Sequence, residues 1–165
     1  MRLLPFFIGL TLLLTSCQYV VSPISVPAAA LGMYEASGKR ERWHSYAEKG
    51  DVYAQYELAE SYCCRPFEGE TNLQESLKWF CVAARNGYAK AQVEVGKLYE
   101  GTSELKDHSV TPDPLLAYIW FAYAARRANE EARQHRNALK ETLTPEQLYE
   151  AESYLLNPSY APCVQ

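Results

Sequence analysis

From Gly50 onward, small and apolar residues recur at intervals of four. Ala54, Leu58 and Tyr62 stand four, eight and twelve positions after Gly50, and Ala91, Val95 and Tyr99 stand at the same distances after Gly87. On an α-helix these offsets fall along one stripe, so the spacing predicts a helix after each glycine. The alanines permit close approach of a neighbouring helix, and the tyrosines bury a large ring near the helix end. Further on, Trp79-Phe80 is followed by Ala83-Ala84, and Trp120-Phe121 by Ala124-Ala125. Each tryptophan opens the packing face of a second helix. The glycines fall just after a preceding helix, where a left-handed cap residue is favoured. The pattern is therefore helix, loop, helix, twice over, with 37 residues from Gly50 to Gly87. Neither unit can bury its apolar face alone.

Partial units flank these two. Trp43, Ala47, Glu48 and Lys49 read as the end of an earlier second helix running into Gly50. Ala128 and Ala132 keep the spacing of Gly87 and Ala91, but Arg133 and Arg136 stand where Gln92 and Val95 would. That polarity suits a terminal capping helix. Thr144-Pro145-Glu146-Gln147 predicts one more helix start, with Thr144 as cap, Pro145 in the first turn and Gln147 reaching back. Leu148, Ala151 and Leu155 would be its buried stripe. The loops differ: 17 positions separate Tyr62 from Trp79 and 21 separate Tyr99 from Trp120. The extra length lies in the polar stretch 101–113, which holds His108 and reads as a surface insertion.

The N-terminal pattern is of another kind. Arg2 precedes an apolar run from Leu3 to Leu14, the form of a secretory signal. As a helix it would reach roughly 21 Å, short of a bilayer core of about 30 Å. Leu14-Thr15-Ser16-Cys17 resembles the bacterial lipobox, which implies removal of residues 1–16 and acylation of Cys17. Gln18 is not the aspartate of an inner-membrane retention signal, so the resemblance implies the outer membrane, facing the periplasm. Residues 17–33, with Ser22-Pro23 and Val26-Pro27, read as a tether, and 34–165 as the repeat domain.

Composition narrows the partners. The formal charge of the whole chain is −4, and loss of Arg2 with the signal leaves −5. An acidic surface argues against nucleic acid. Export would place Cys63, Cys64, Cys81 and Cys163 in an oxidising space, where disulfides persist. A bond between adjacent Cys63 and Cys64 is disfavoured by strain, so the expectation is Cys81 bonded to one of them and Cys163 to the other. Without a C-x-x-C or histidines at ligand spacing, neither a metal nor any other cofactor is expected.

Catalytic patterns are sparse. There is no G-x-S-x-G, H-E-x-x-H or glycine-rich phosphate loop. His44, His108 and His135 lie far apart, and His44 and His135 read as members of solvated helix faces. Glu57 with Glu60, or Glu130 with Glu131, would need a cleft that sets their pKa values apart to act as acid and base. Of the nearest S-x-x-K arrangements only Ser103 to Lys106 matches, without companion motifs.

Gly50-Asp51-x-x-Ala54-Gln55-x-x-Leu58-x-x-x-Tyr62 resembles the first helix of the Sel-one-like repeat, a relative of the tetratricopeptide repeat. Ala117-x-x-Trp120 with Ala124-Ala125 resembles its second helix, Ser76 replacing Ala117 in the earlier unit. The resemblance covers residues 43–135. It implies an all-α fold: a short right-handed α-solenoid of antiparallel helical hairpins, two full repeats plus capping helices. First helices line the concave side of such a stack. Its outward positions would be Tyr53, Tyr56, Glu57 and Glu60, then Lys90, Glu94 and Lys97. These suit a partner with a basic, partly apolar patch. The expected function is a non-catalytic, lipid-anchored periplasmic module that binds another envelope protein as scaffold or adaptor. The alternative drawn from the family is an immunity protein neutralising a periplasm-acting phospholipase effector of type VI secretion. A β-lactamase-like activity, associated with some cysteine-rich members, is the third reading.

Overall fold

The computed structural model describes residues 40–64, 71–105, 110–157 and 161–163, and it is all-helical among them. The leader, Cys17, the tether and His108 lie outside the described residues. The first helix, α1, is described over residues 40–48. It is followed by α2 (Val52–Cys63), α3 (Leu73–Arg85), α4 (Ala89–Glu100), α5 (Pro114–Ala125), α6 (Glu130–Lys140) and α7 (Pro145–Leu155). Both ends of α4 sit 37 residues beyond those of α2, as the spacing of the glycines predicts.

Side-chain oxygens start most of the helices. Asp51 accepts from the amides of Tyr53 and Ala54, and Asp113 from those of Leu115 and Leu116. Asn72 and Asn129 each accept one amide in the same way. Thr144 and Gln147 form the expected reciprocal capping box. Gly50 and Gly87 adopt φ of 90° and 87°, in the left-handed region where a Cβ is disfavoured. Ala128, third in that series, also has positive φ, 59°.

Consecutive helices from α2 to α6 pack on one another, with α3 between α2 and α4 and α5 between α4 and α6, while α7 packs on α5. The stripes read from the sequence face inward: Ala54, Leu58, Ala91, Val95 and Trp120 are all fully or nearly fully buried. Helix α5 is apolar on every side because it meets α4, α6 and α7. The conserved step between units also places two buried amides. Gln55 Nε2 donates to the Ala47 carbonyl at 3.1 Å, and Gln92 Nε2 to the Ala84 carbonyl at 3.0 Å. Each glutamine thus ties a first helix to the end of the helix before it, as a second donor to a carbonyl that already accepts the amide of Gly50 or Gly87.

Gly96 faces Phe121 so closely that a Cβ would lie 2.9 Å from two ring carbons. Alanine ordinarily stabilises a helix over glycine by about 1 kcal/mol. Here the ring is fully buried, and overpacking costs about 1–3 kcal/mol. Gly96→Ala is therefore expected to lower stability in a denaturant titration; a gain of about 1 kcal/mol would show that the ring moves freely.

The longer loop is exposed at most of its described residues but is held to the core at two of them. Its flanks Leu105 and Val110 are buried against the core. The amide of Asp113 donates to the Tyr99 carbonyl at 2.8 Å, as the amide of Asn72 does to the Tyr62 carbonyl at 2.9 Å. The same hydrogen bond therefore closes both loops, and in the longer one Leu105 and Val110 are packed rather than solvated.

The expected disulfide pairing is corrected. Cys81 is bonded to Cys163 and Cys63 to Cys64. The reason lies in the C-terminal segment, which returns across α3 and α5. Trp120 Nε1 donates to the Pro162 carbonyl at 3.0 Å, and Arg85 reaches the Ala161 carbonyl at 3.5 Å. These anchors set Cys163 over Cys81, and the adjacent pair is left to itself.

Candidate protein-binding face

The first helices of successive units carry corresponding positions along one face. Three residues after the cap glycine or its equivalent stand Tyr53, Lys90 and Glu131; seven after stand Glu57, Glu94 and His135. Tyr56, Lys90, Val93, Glu94, Asn129 and Glu131 line a cleft of about 290 Å³ across α2, α4 and α6. Of the seven positions expected to face outward, the structure brings Tyr56, Lys90 and Glu94 into this cleft, and Lys97 and Glu60 act on it electrostatically.

The other two are placed differently. Glu57 is buried, with 8% exposure, because α2 turns that side toward Tyr88 and the neighbouring unit. Tyr53 is half-exposed and lies beside the cleft, its ring 5.8 Å from Trp43 and 6.4 Å from Tyr88. Tyr56 is half-buried, with its ring 5.1 Å from Tyr88 and 5.5 Å from Phe80. A continuous aromatic wall thus borders the charged residues.

Lys97 organises those charges. Its Nζ lies 2.6 Å from Glu131 and 3.6 Å from Glu94, bridging α4 and α6. Burial holds the Glu94 carboxyl above the ordinary carboxylate range; Lys97 opposes that rise, while Glu60 and Glu131 add to it. For Lys97, burial alone would lower the pKa, but hydrogen bonds and charge from Glu131 and Glu94 outweigh it and hold the ammonium above its usual value. Burial, then the Glu60 carboxylate, pushes the Tyr56 hydroxyl well above its ordinary value.

A pH dependence follows. Lys97 has a raised folded-state pKa, so its stabilisation is complete below its ordinary value and lost only in strong alkali. Lys97→Met removes the cation from between carboxylates. At neutral pH it is expected to cost on the order of 1 kcal/mol, discounted for the half-exposed Glu131. The deficit should shrink as acid neutralises the carboxyls, Glu94 first because its pKa is raised. Thermal melts of both proteins at pH 4 and pH 7 check this; an equal deficit at both would contradict it.

Four contributors were not among the expected positions, Val93 of the cleft lining being one. Tyr88 occupies the place of Asp51 and gives no side-chain cap to α4, so its departure from the repeat was the available signal. Asn129 and Glu131 correspond to Asp51 and Tyr53 two units further on, within a stretch read only as a polar cap. His135 is likewise not on a solvated face. It stacks on Phe121 at 4.6 Å and pairs with Glu100 at 2.8 Å, because α5 sets an aromatic ring beneath α6. His44 lies edge-on to Trp79 at 5.5 Å.

Ser103, offered for S-x-x-K chemistry, accepts a hydrogen bond from the Leu105 amide within its own loop, and Lys106 lies outside the described residues. Among the described residues there is no group of three or more histidine, cysteine or acidic side chains able to hold a metal ion. No helix among them is long and apolar enough to cross a membrane.

No protein-family model matches the chain, and no curated protein does. Among solved structures, it is similar to a protective antigen present in uropathogenic Escherichia coli strains and displaying an SLR fold. The two are 27% identical with a TM-score of 0.62. The match covers 81% of this chain and 30% of that one, so the present chain spans under a third of the longer protein.

Proposed function

We propose that this chain, a Sel-one-like repeat protein, is a non-catalytic module that binds another protein of the bacterial envelope. In this reading, lipid on Cys17 holds it to the outer membrane, facing the periplasm. The observation that carries the binding role is the cleft across α2, α4 and α6, where three successive units contribute to one surface. Repeat stacks use such shared surfaces for recognition.

The chemistry of the cleft defines the partner. Glu60, Glu94 and Glu131 outnumber Lys90 and Lys97, and the aromatic wall of Tyr56 and Tyr88 offers apolar contact on one side. A partner segment with lysine or arginine beside an apolar residue satisfies both features. Glu94→Lys combined with Glu131→Lys should weaken binding at least roughly tenfold, chiefly by opposing encounter with a basic patch. Unchanged affinity of the purified pair by calorimetry would remove the cleft from the interface.

Anchoring is tested separately. Cys17→Ser should move the protein from the membrane to the soluble fraction; retention in the membrane would refute the lipid anchor. Recovery of a secreted phospholipase as the partner would make the protein an immunity factor rather than an adaptor. Hydrolysis of a reporter substrate by the pure protein would overturn both.

A further inference from the structure

The two disulfides have opposite surroundings. Cys81 is 2% exposed and Cys163 7%, and the bond closes across 82 positions of sequence. Such a bond restrains a long stretch of the unfolded chain. Cys64, by contrast, is exposed and Cys63 half-buried, at the C-terminal end of α2. Their bond spans one peptide link. It encloses almost no chain, so closing it adds little to folding by restricting the unfolded state. A solvent-facing bond with little structural duty is chemically available.

We propose that Cys63–Cys64 is a surface redox site that exchanges two electrons with dithiol reductants, while Cys81–Cys163 remains the structural bond. The exposed Cys64 sulfur is the point of attack. A thiolate of the incoming dithiol bonds to it, the Cys63–Cys64 bond breaks, and Cys63 leaves as a thiolate that takes up a proton. The second thiolate of the reagent then displaces Cys64, which is protonated in turn. The reagent departs as a disulfide, and the protein has gained two electrons and two protons. An oxidising disulfide reverses these steps.

The local geometry accommodates both states. The Cys64 amide donates to the Glu60 carbonyl at 2.9 Å, a bond of the helix end in which neither sulfur takes part. Cys63 Sγ lies 3.8 Å from the same carbonyl oxygen. The disulfide sulfur has no proton to donate there; the thiol has one, and its acceptor is already in place. Reduction therefore supplies a weak hydrogen bond as it removes the ring. The site also borders the seat of α1. Arg40 donates to Ser61 and rests over the Tyr62 ring at 4.5 Å, immediately before the cysteine pair.

Differential alkylation of the full chain tests this. Protein equilibrated across a series of dithiothreitol concentrations is trapped with iodoacetamide, digested and mapped by mass spectrometry. Cys63 and Cys64 should become labelled together at a dithiothreitol concentration roughly tenfold or more below that which opens Cys81–Cys163, with helical circular dichroism unchanged. Opening of all four cysteines together, earlier opening of Cys81–Cys163, or labelling of Cys63 and Cys64 without reductant would each overturn the proposal. Cys64→Ser should abolish the low-reductant step and leave the melting temperature nearly unchanged. A large loss of helix in that variant would show the bond to be structural and would equally overturn it.

Discussion

Trp120→Ala is expected to destabilise the protein by about 3–5 kcal/mol, the range for truncating a buried aromatic ring. The side chain is fully buried at the centre of α5, which meets α4, α6 and α7. Its loss would leave a cavity that three packed neighbours cannot all close. It also removes the Nε1 donor from the Pro162 carbonyl, loosening the C-terminal segment from the repeat. For a domain of this size the melting temperature should fall by roughly 10–20 °C. Trp120→Phe keeps most of the ring volume and loses the donor, so it should cost about 1–2 kcal/mol. Trp79→Ala makes the comparison informative. That ring occupies the equivalent place in the earlier unit, but it is 8% exposed, and its Nε1 has no hydrogen-bond partner among the described residues. Its loss should cost less than that of Trp120. Equal losses at the two positions would show that the C-terminal anchor contributes nothing.

Removing the long-range disulfide is the second large effect. Cys81→Ser with Cys163→Ser should lower stability by about 2–5 kcal/mol, the usual range for a disulfide closing a long loop. The bond is buried and joins α3 to a segment that no helix secures. Without it, the Trp120 and Arg85 hydrogen bonds would have to hold residues 161–163 in place alone. Amide exchange should therefore rise first in that segment and then on the outer face of α3. Denaturant titration of the double variant under oxidising conditions measures the loss. A change below about 0.5 kcal/mol, within the scatter of ordinary surface substitutions, would show that the helices fold independently of the bond.

The parts of the fold readable from sequence are those set by local periodicity. Ala54, Leu58 and Tyr62 announce a helix because the spacing that buries them is itself helical. Thr144 and Gln147 announce its start because a capping box spans only four residues. The repeat register, seen in Gly50 and Gly87, carries information further, and it located every first helix, including α6 behind Ala128. Cysteine pairing was not readable in this way. It depends on where residues 161–163 return, a contact made across 82 positions and set by Trp120 and Arg85.

The candidate face was legible in outline for the same reason. Register places Tyr56, Lys90 and Glu94 on one side of successive helices, and the structure gathers them. It does not reveal the depth of each position. Glu57 is buried, close enough to Tyr88 to add to the rise that burial gives that tyrosine's pKa, and Tyr88 stands where the first unit has the capping Asp51. Glu131 reads as a solvated charge until α6 is packed beside α4, where Lys97 bridges to it. Register predicts which residues share a face; packing decides which of them remain available to a partner.

The claim that the α2, α4 and α6 cleft meets another protein is tested most directly by photocrosslinking in intact cells. A photoreactive phenylalanine analogue is placed at Lys90, exposed in the cleft, and separately at Tyr149, which is 79% exposed on α7. One discrete cross-linked species is expected from position 90, absent from position 149 and lost when Glu94→Lys and Glu131→Lys are added. No adduct from position 90, or the same adduct from both positions, would contradict it.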